Sequence, residues 1–133
     1  MLRKLLLLVL VAVSIALAGC GTDPLIDPPP MAIPAGRTAA DVEQTVTAVA
    51  SENGWFVVER KPGRLVLRYS PRDFWVNVEV HYDEQQIVIR YLDSSNLKYH
   101  MEGDHPNIHP NYNRWVNNLA HDIQNRLAGV VAD

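Results

Sequence analysis

A helical repeat of apolar residues opens the folded part of the chain. Val42 and Val46 recur at the spacing of one helix face. Thr38 and Asp41 precede them as a pair of the capping-box type, with Asp in place of the usual Glu or Gln. Gly54 is a typical stop, because glycine adopts the left-handed conformation at low cost. The pattern predicts a helix that begins at Thr38 and ends near Gly54.

A second stripe of apolar side chains lies in the C-terminal part of the chain. It runs from Tyr112 to Leu127, and asparagines occupy the opposite side of the same helix. Asn111 is the expected N-cap, and Gly129 is the expected stop. This spacing predicts a second helix whose apolar side packs against a sheet.

Four runs between the two predicted helices have the periodicity of β-strands. They cover residues 55–60, 64–69, 74–82 and 86–92. Only short turns separate successive runs, so they predict an antiparallel meander. The polar stretch 93–111 is expected to be irregular. The order of elements predicts an α+β fold, a two-layer sandwich in which the N- and C-terminal helices cover one face of a four-stranded antiparallel sheet (α-β-β-β-β-α).

The composition excludes several functions. The chain has 133 residues, which suits one small domain, and a formal net charge of −3. Non-specific nucleic-acid binding needs a cationic face, so we expect no nucleic-acid partner. A single cysteine, Cys20, allows neither an internal disulfide nor a zinc site built from cysteines. The sequence has no phosphate-binding or dinucleotide-binding motif, and we expect no cofactor.

The first 20 residues carry a targeting pattern. Arg3 and Lys4 precede a short apolar run, which ends in Leu17-Ala18-Gly19-Cys20. Positive residues, an apolar run too short for a membrane span and small residues at its end are typical of an export signal. The last four residues resemble the lipobox of bacterial lipoproteins. The resemblance implies a signal peptide over residues 1–19, cleavage before Cys20, and a lipid on the Cys20 thiol.

The lipobox resemblance also implies a location. Gly21 follows the cysteine, whereas Asp at that place tends to retain lipoproteins in the inner membrane, so the resemblance implies the outer membrane of a Gram-negative cell, facing the periplasm. Without Arg3 and Lys4, 10 of the 12 basic residues remain against 15 acidic ones, a net charge of −5. Anionic lipid repels such a domain, so the lipid on Cys20 must supply the anchor. The alternatives are an ordinary secretory signal with a free thiol and a signal anchor.

Prolines dominate the segment that follows the lipobox. Residues 20–36 contain five prolines, three of them consecutive, and few large side chains. Such a sequence favours an extended polyproline II conformation, which at about 3.1 Å per residue reaches on the order of 50 Å. We therefore expect residues 20–36 to be a tether with nothing to pack against, and residues 37–133 to form the single domain.

Histidines concentrate in the polar stretch before the last helix. His100, His105 and His109 lie within ten residues, and imidazole is a common ligand of zinc and copper, so these three are the candidate metal ligands. Pro106 and Pro110 interrupt the stretch, so the spacing fixes no geometry. The alternative is a polar loop in which His105 and His109 serve as turn and cap elements.

Strand alternation directs one aromatic residue away from the helices. Within residues 74–82, Trp75 lies on the side opposite Val76. Val66, Val88 and Leu92 are expected on the same side, so the candidate binding face consists of Trp75, Val66, Val88 and Leu92. An apolar patch on an open sheet face is typical of an interaction site. The alternatives are that another segment covers this patch or that a bulge turns Trp75 inward.

These features favour a non-enzymatic, membrane-anchored periplasmic lipoprotein whose domain binds an envelope protein or the cell wall. Residues 96–99 and 108–116 are similar to small lipoproteins of Gram-negative bacteria, a resemblance that implies no activity. A metal-binding lipoprotein that uses the three histidines is the alternative. A hydrolase has weaker support, because Ser95, His100 and Asp104 could form a Ser/His/Asp site but have no diagnostic spacing.

Overall fold

Eight strands and two helices make up residues 21–129, the part of the chain that this computed structural model describes. In chain order they are β1 (Asp23–Pro24), β2 (Met31–Ala32), α1 (Ala39–Glu52), β3 (Phe56–Lys61), β4 (Arg64–Tyr69), β5 (Trp75–Tyr82), β6 (Gln86–Ser95), β7 (His100–Glu102), β8 (His105–Ile108) and α2 (Asn111–Leu127). The strands form two antiparallel sheets, in the orders β2-β6-β5-β4-β3 and β1-β8-β7. The fold is α+β, as the sequence predicts.

The predicted strands are present as β3 to β6 and pair as a meander, but a four-stranded sheet is too simple a prediction. β2 adds a fifth strand, because Met31 pairs with Ile87 of β6. β7 and β8 form a hairpin inside the stretch predicted to be irregular, and β1 pairs with β8. These short strands contain Pro, His and Asn, so tertiary contacts rather than local preference determine their pairing.

Both helices pack on the same side of the five-stranded sheet. Val42 and Val46 of α1 belong to one buried cluster with Leu119 and Ile123 of α2. Val78, at the centre of β5, belongs to that cluster too. The two apolar stripes that the sequence predicts are therefore the surfaces that close the core, and the opposite face of the sheet carries no helix of the described chain.

The two helices begin differently. Thr38 caps α1 as predicted: the Asp41 N–H donates to Thr38 Oγ1 at 3.1 Å, and the Thr38 N–H donates to Asp41 Oδ2 at 3.2 Å. The N-cap of α2 is Pro110, not Asn111, and Pro110 makes no side-chain cap hydrogen bond. Instead, the Asn111 N–H donates to Nδ1 of His109 at 3.1 Å, so the imidazole satisfies an amide at the helix start.

The proline-rich segment is joined to the domain, and the prediction that it has nothing to pack against is wrong. Asp23 pairs with Ile108, and Met31 and Ile33 belong to the buried core. β1 and β2 are edge strands, where a proline such as Pro24 within β1 can face away from the neighbouring strand and interrupt no ladder of hydrogen bonds. The folded unit thus begins at β1, before residue 37. The predicted signal peptide and Cys20 lie outside the described residues.

Candidate functional site

We call the face of the five-stranded sheet that points away from the helices the outer face. Strand pairing and alternation place on it Phe56, Glu59 and Lys61 of β3, Arg64, Val66 and Arg68 of β4, Trp75, Asn77, Glu79 and His81 of β5, and Val88, Arg90 and Asp93 of β6. Trp75 therefore lies on the predicted side of the sheet. A bulge in β6 leaves Leu92 without a paired residue in β5, and Leu92 is 41% exposed.

Charged side chains cover one half of the outer face. The Arg64 guanidinium donates to Glu79 Oε1 at 2.6 Å and lies 3.1 Å from Oε1 of Glu59. Nε2 of His81 lies 2.9 Å from Glu79 Oε2. The hydrogen bond from Arg64, and then that from His81, holds the pKa of Glu79 below its usual range. Val66 pairs with both glutamates and is only 3% exposed.

A chain of hydrogen bonds crosses the other half of the outer face. Nε–H of Arg68 donates to Asn77 Oδ1 at 2.9 Å, and Asn77 Nδ2 donates to Asp93 Oδ1 at 2.8 Å. The Arg68 guanidinium carbon lies 4.5 Å from the ring centroid of Trp75, within the range of a cation–π interaction. Asn77 is buried, and both ends of its amide are bonded. This amide therefore fixes the guanidinium over the indole ring.

The predicted apolar patch is not one continuous surface. Val66 is buried, while Trp75 and Val88 are half-buried. Leu92 is exposed, and so is Phe56, which retains half of its accessible surface. The apolar groups on this face are therefore interrupted by charged residues, since Glu59 and Glu79 flank Val66 in the strand pairing.

Sequence reasoning missed two residues of this face, Arg68 and Phe56. Arg68 follows Val66 by two positions in β4, so simple alternation would have placed it beside the predicted patch. Phe56 lies opposite Arg68 in the β3–β4 register. That register contains a bulge between Val57 and Glu59, and no pattern in the chain predicts it.

A cavity of about 430 Å³ opens between the end of β6 and the loop that follows, and residues 91–94 and 96–99 line it. The rings of Tyr91 and Tyr99 stack with their centroids 4.6 Å apart. The hydroxyl oxygens of Tyr91 and Ser94 share a hydrogen bond of 2.7 Å. Burial raises the pKa of the Tyr91 hydroxyl, which therefore stays neutral. Asp93, which lies on the outer face, lines this cavity, so the cavity adjoins that face.

The three histidines that the sequence predicts as metal ligands, His100, His105 and His109, have different surroundings in the structure. The ring nitrogens of His100 contact the Lys98 carbonyl at 2.7 Å and Glu102 Oε1 at 3.1 Å, and these contacts, in that order, raise the pKa of His100. His109 caps α2, and His105 is exposed opposite Glu102. Among residues 21–129, no group of three or more His, Cys, Asp or Glu side chains is arranged to hold a metal ion.

The residues of the hydrolase hypothesis are engaged elsewhere. Both ring nitrogens of His100 contact Lys98 or Glu102, and neither contacts a serine hydroxyl. Ser95 lies opposite Trp75 at the end of β6, and Asp104 lies in the exposed β7–β8 turn. Within residues 21–129, His100 is therefore not placed as the base that a serine nucleophile at Ser95 would require.

Comparisons with known proteins add no assignment to this geometry. No family model matches the chain, and neither a curated protein nor a solved structure matches it. In the part of the chain that the structure describes, neither helix has the length and apolarity that a membrane span requires. The candidate site therefore rests on the outer face and on the residues around it.

Proposed function

We propose that this chain is a lipid-anchored protein of the bacterial outer membrane, facing the periplasm, and that its domain binds a partner protein without catalysing a reaction. The Trp75 patch carries this proposal, and it consists of Trp75, Arg68, Phe56 and Leu92 on or beside the outer face. Both described helices pack on the opposite side of the sheet. Aromatic and arginine side chains are enriched at the centres of protein interfaces.

The rigidity of the patch supports a binding role. Arg68 is bonded to the buried Asn77, which is bonded in turn to Asp93, so the guanidinium has little freedom to lose when a partner binds. Ordering a flexible side chain on binding costs about 0.5–1.5 kcal/mol. A guanidinium already held over an aromatic ring avoids most of that cost. It still offers N–H donors that Asn77 does not use.

The charged half of the outer face supports the same role. Glu59, Arg64 and Glu79 form a compact network beside the Trp75 patch. Protein interfaces usually combine an apolar centre with polar groups at its border, and the charges favour one partner over another. The proposed partner is therefore a folded protein that presents an apolar group to Trp75 and complementary charges to this network.

The anchor rests on the lipobox residues. Cys20 is the only cysteine, and it follows the positive residues and the apolar run in the order that a lipoprotein signal requires. Metal binding through the histidine stretch is a weaker proposal, because His109 is already an acceptor at the start of α2. Both ring nitrogens of His100 are likewise in contact with other groups, the Lys98 carbonyl and Glu102 Oε1.

In-cell photo-crosslinking tests the proposal with Cys20 intact. A photo-reactive amino acid replaces Leu92, which is exposed at the β6 bulge next to Asp93, and in a matched strain it replaces Glu84 in the exposed β5–β6 turn. We expect one discrete adduct with a second protein from position 92 and none from position 84. The same adducts from both positions, or none from position 92, would refute binding through the Trp75 patch.

A further inference from the structure

The chain enters the fold directly after the proposed lipidation site. Asp23 pairs with Ile108 of β8, and the Leu25 N–H donates to the Pro106 carbonyl at 2.9 Å. Asp23 lies three residues after Cys20, and three residues of extended chain span at most about 11 Å. A lipid on Cys20 therefore holds the three-stranded sheet close to the bilayer and not at the end of a long tether.

A positive side chain lies beside the first described residue. Nζ of Lys98 is 3.5 Å from the position that a Cβ on Gly21 would occupy. β1 and β7 both run antiparallel to β8, so their N-terminal ends lie at the same end of the three-stranded sheet. Lys98 and Tyr99 directly precede β7. They therefore lie at the end of the sheet where the chain arrives from Cys20.

Two exposed apolar side chains accompany this lysine. Tyr99 is 43% exposed and Met101 is 56% exposed. We call Lys98, Tyr99 and Met101 the anchor-proximal surface. Tyrosine rings are enriched at the headgroup level of membranes, and a lysine packs its methylenes on apolar groups while its amine reaches the phosphates. This combination suits a membrane–water interface better than it suits open solvent.

Packing holds the loop of this surface in one conformation. Leu97 belongs to the buried core, and its carbonyl accepts a hydrogen bond from the His109 N–H at 2.8 Å. Lys98 has a φ of 57°, in the left-handed region that non-glycine residues rarely adopt. Tyr99 stacks on Tyr91. The loop therefore presents Lys98 and Tyr99 in a fixed arrangement. Because these side chains are already ordered, the loop loses little conformational entropy when it binds a surface.

We infer that the anchor-proximal surface lies on the bilayer that holds the lipid of Cys20, an inference that rests on the proposed lipid anchor. Phosphate headgroups bind Lys98, and Tyr99 and Met101 enter the boundary between headgroups and acyl chains. The chain from Cys20 onwards has a net charge of −5, so anionic headgroups repel the rest of the domain. The lipid fixes the distance from the membrane, and this surface fixes the orientation of the domain.

The test uses the full lipidated protein in vesicles of phosphatidylethanolamine and phosphatidylglycerol. Cys20 is the chain's only cysteine, so Met101→Cys adds the only free thiol when the lipid is present. Glu84→Cys is the matched control, because it lies in the turn at the opposite end of β6 from the Lys98 loop. Each thiol carries an environment-sensitive fluorophore, and lipids with a nitroxide on the headgroup act as the quencher.

We expect quenching and blue-shifted emission at position 101, and neither at position 84. If mass spectrometry finds the lipid on Cys20 and position 101 is not quenched, or both positions are quenched equally, the membrane contact is wrong and the anchor stands. If Met101→Cys carries two reactive thiols, Cys20 has no lipid. That outcome overturns the anchor and, with it, the membrane contact.

Discussion

The hydroxyl of Tyr112 donates a hydrogen bond of 3.3 Å to Oδ1 of Asp27, across 85 residues of sequence. The backbone N–H of Tyr91 donates to the same oxygen at 3.0 Å. Tyr112 is fully buried; this burial, and then the charge of Asp27, raises the pKa of its hydroxyl, which therefore remains a donor. One carboxylate thus connects the proline-rich segment with β6 and with the start of α2.

We expect Asp27→Ala to lower the free energy of unfolding by about 1–3 kcal/mol, because the buried Tyr112 hydroxyl loses its acceptor. Urea unfolding followed by circular dichroism measures the change. Asp23→Ala is the control in the same segment, since Asp23 is exposed, and its effect should stay within about 0.5 kcal/mol. Equal effects of the two substitutions would contradict a structural role for Asp27.

Met31 gives a second test of whether the proline-rich segment belongs to the fold. Its side chain is buried in the core, so Met31→Ala should cost about 2–5 kcal/mol in unfolding free energy. Ala32→Ser, one residue further along β2 and exposed, should leave the urea midpoint nearly unchanged. If residues 20–36 were a free tether, neither substitution would move the midpoint.

The parts of the fold that local chemistry determines could be predicted from the sequence. The Thr38–Asp41 capping box lies within four residues, and the apolar stripe of α2 is a repeat along one helix. β1 and β2 depend on partners far along the chain, as when Asp23 pairs with Ile108, and β7 and β8 are very short strands of a hairpin. These four strands have only two to four residues, too few to show a periodicity, so no pattern in the sequence could indicate them.

In the candidate site, too, local features could be predicted from the sequence and features that depend on strand pairing could not. Alternation along β5 placed Trp75 on the outer face, and the structure confirms that side. The covering of Val66 could not be predicted, because it depends on the pairing of β4 with two neighbouring strands and on the glutamates that this register places beside it. Side-chain direction is thus a local property, whereas exposure on a sheet face depends on register.

Glu79 leads to a prediction about pH. Hydrogen bonds, first from Arg64, lower its pKa in the folded protein below the ordinary value of 4.5. Its stabilising contribution is therefore present above pH 4.5 and is lost as the pH falls through the folded-state pKa. We expect Glu79→Gln to flatten the fall of the urea midpoint across that window. Glu84→Gln, in the exposed β5–β6 turn, should retain the wild-type profile.

If Glu79→Gln and the wild-type protein lost stability in parallel as the pH falls, the Arg64–Glu79 contact would contribute nothing to folding. Salt offers an independent check, because the contact lies on a sheet face and is partly exposed. Screening should reduce the difference between Glu79→Gln and wild type at neutral pH. The Glu84→Gln variant should show no such change.

Arg68 provides the sharpest link between the outer face and the proposed partner. Arg68→Lys keeps the positive charge but removes the planar group that lies over Trp75 and the Nε–H that Asn77 accepts. Because the buried Asn77 Oδ1 loses its donor, the unfolding free energy should fall by about 1–3 kcal/mol. The crosslink from position 92 should also fall strongly, because the fixed guanidinium is part of the binding surface. Arg90→Lys, an exposed substitution on the same face, should leave the crosslink intact. A full-strength adduct with Arg68→Lys would mean that the partner does not bind the Trp75 patch. Loss of the adduct with both variants would mean that the guanidinium over Trp75 has no special role, because neither substitution changes the charge of the face.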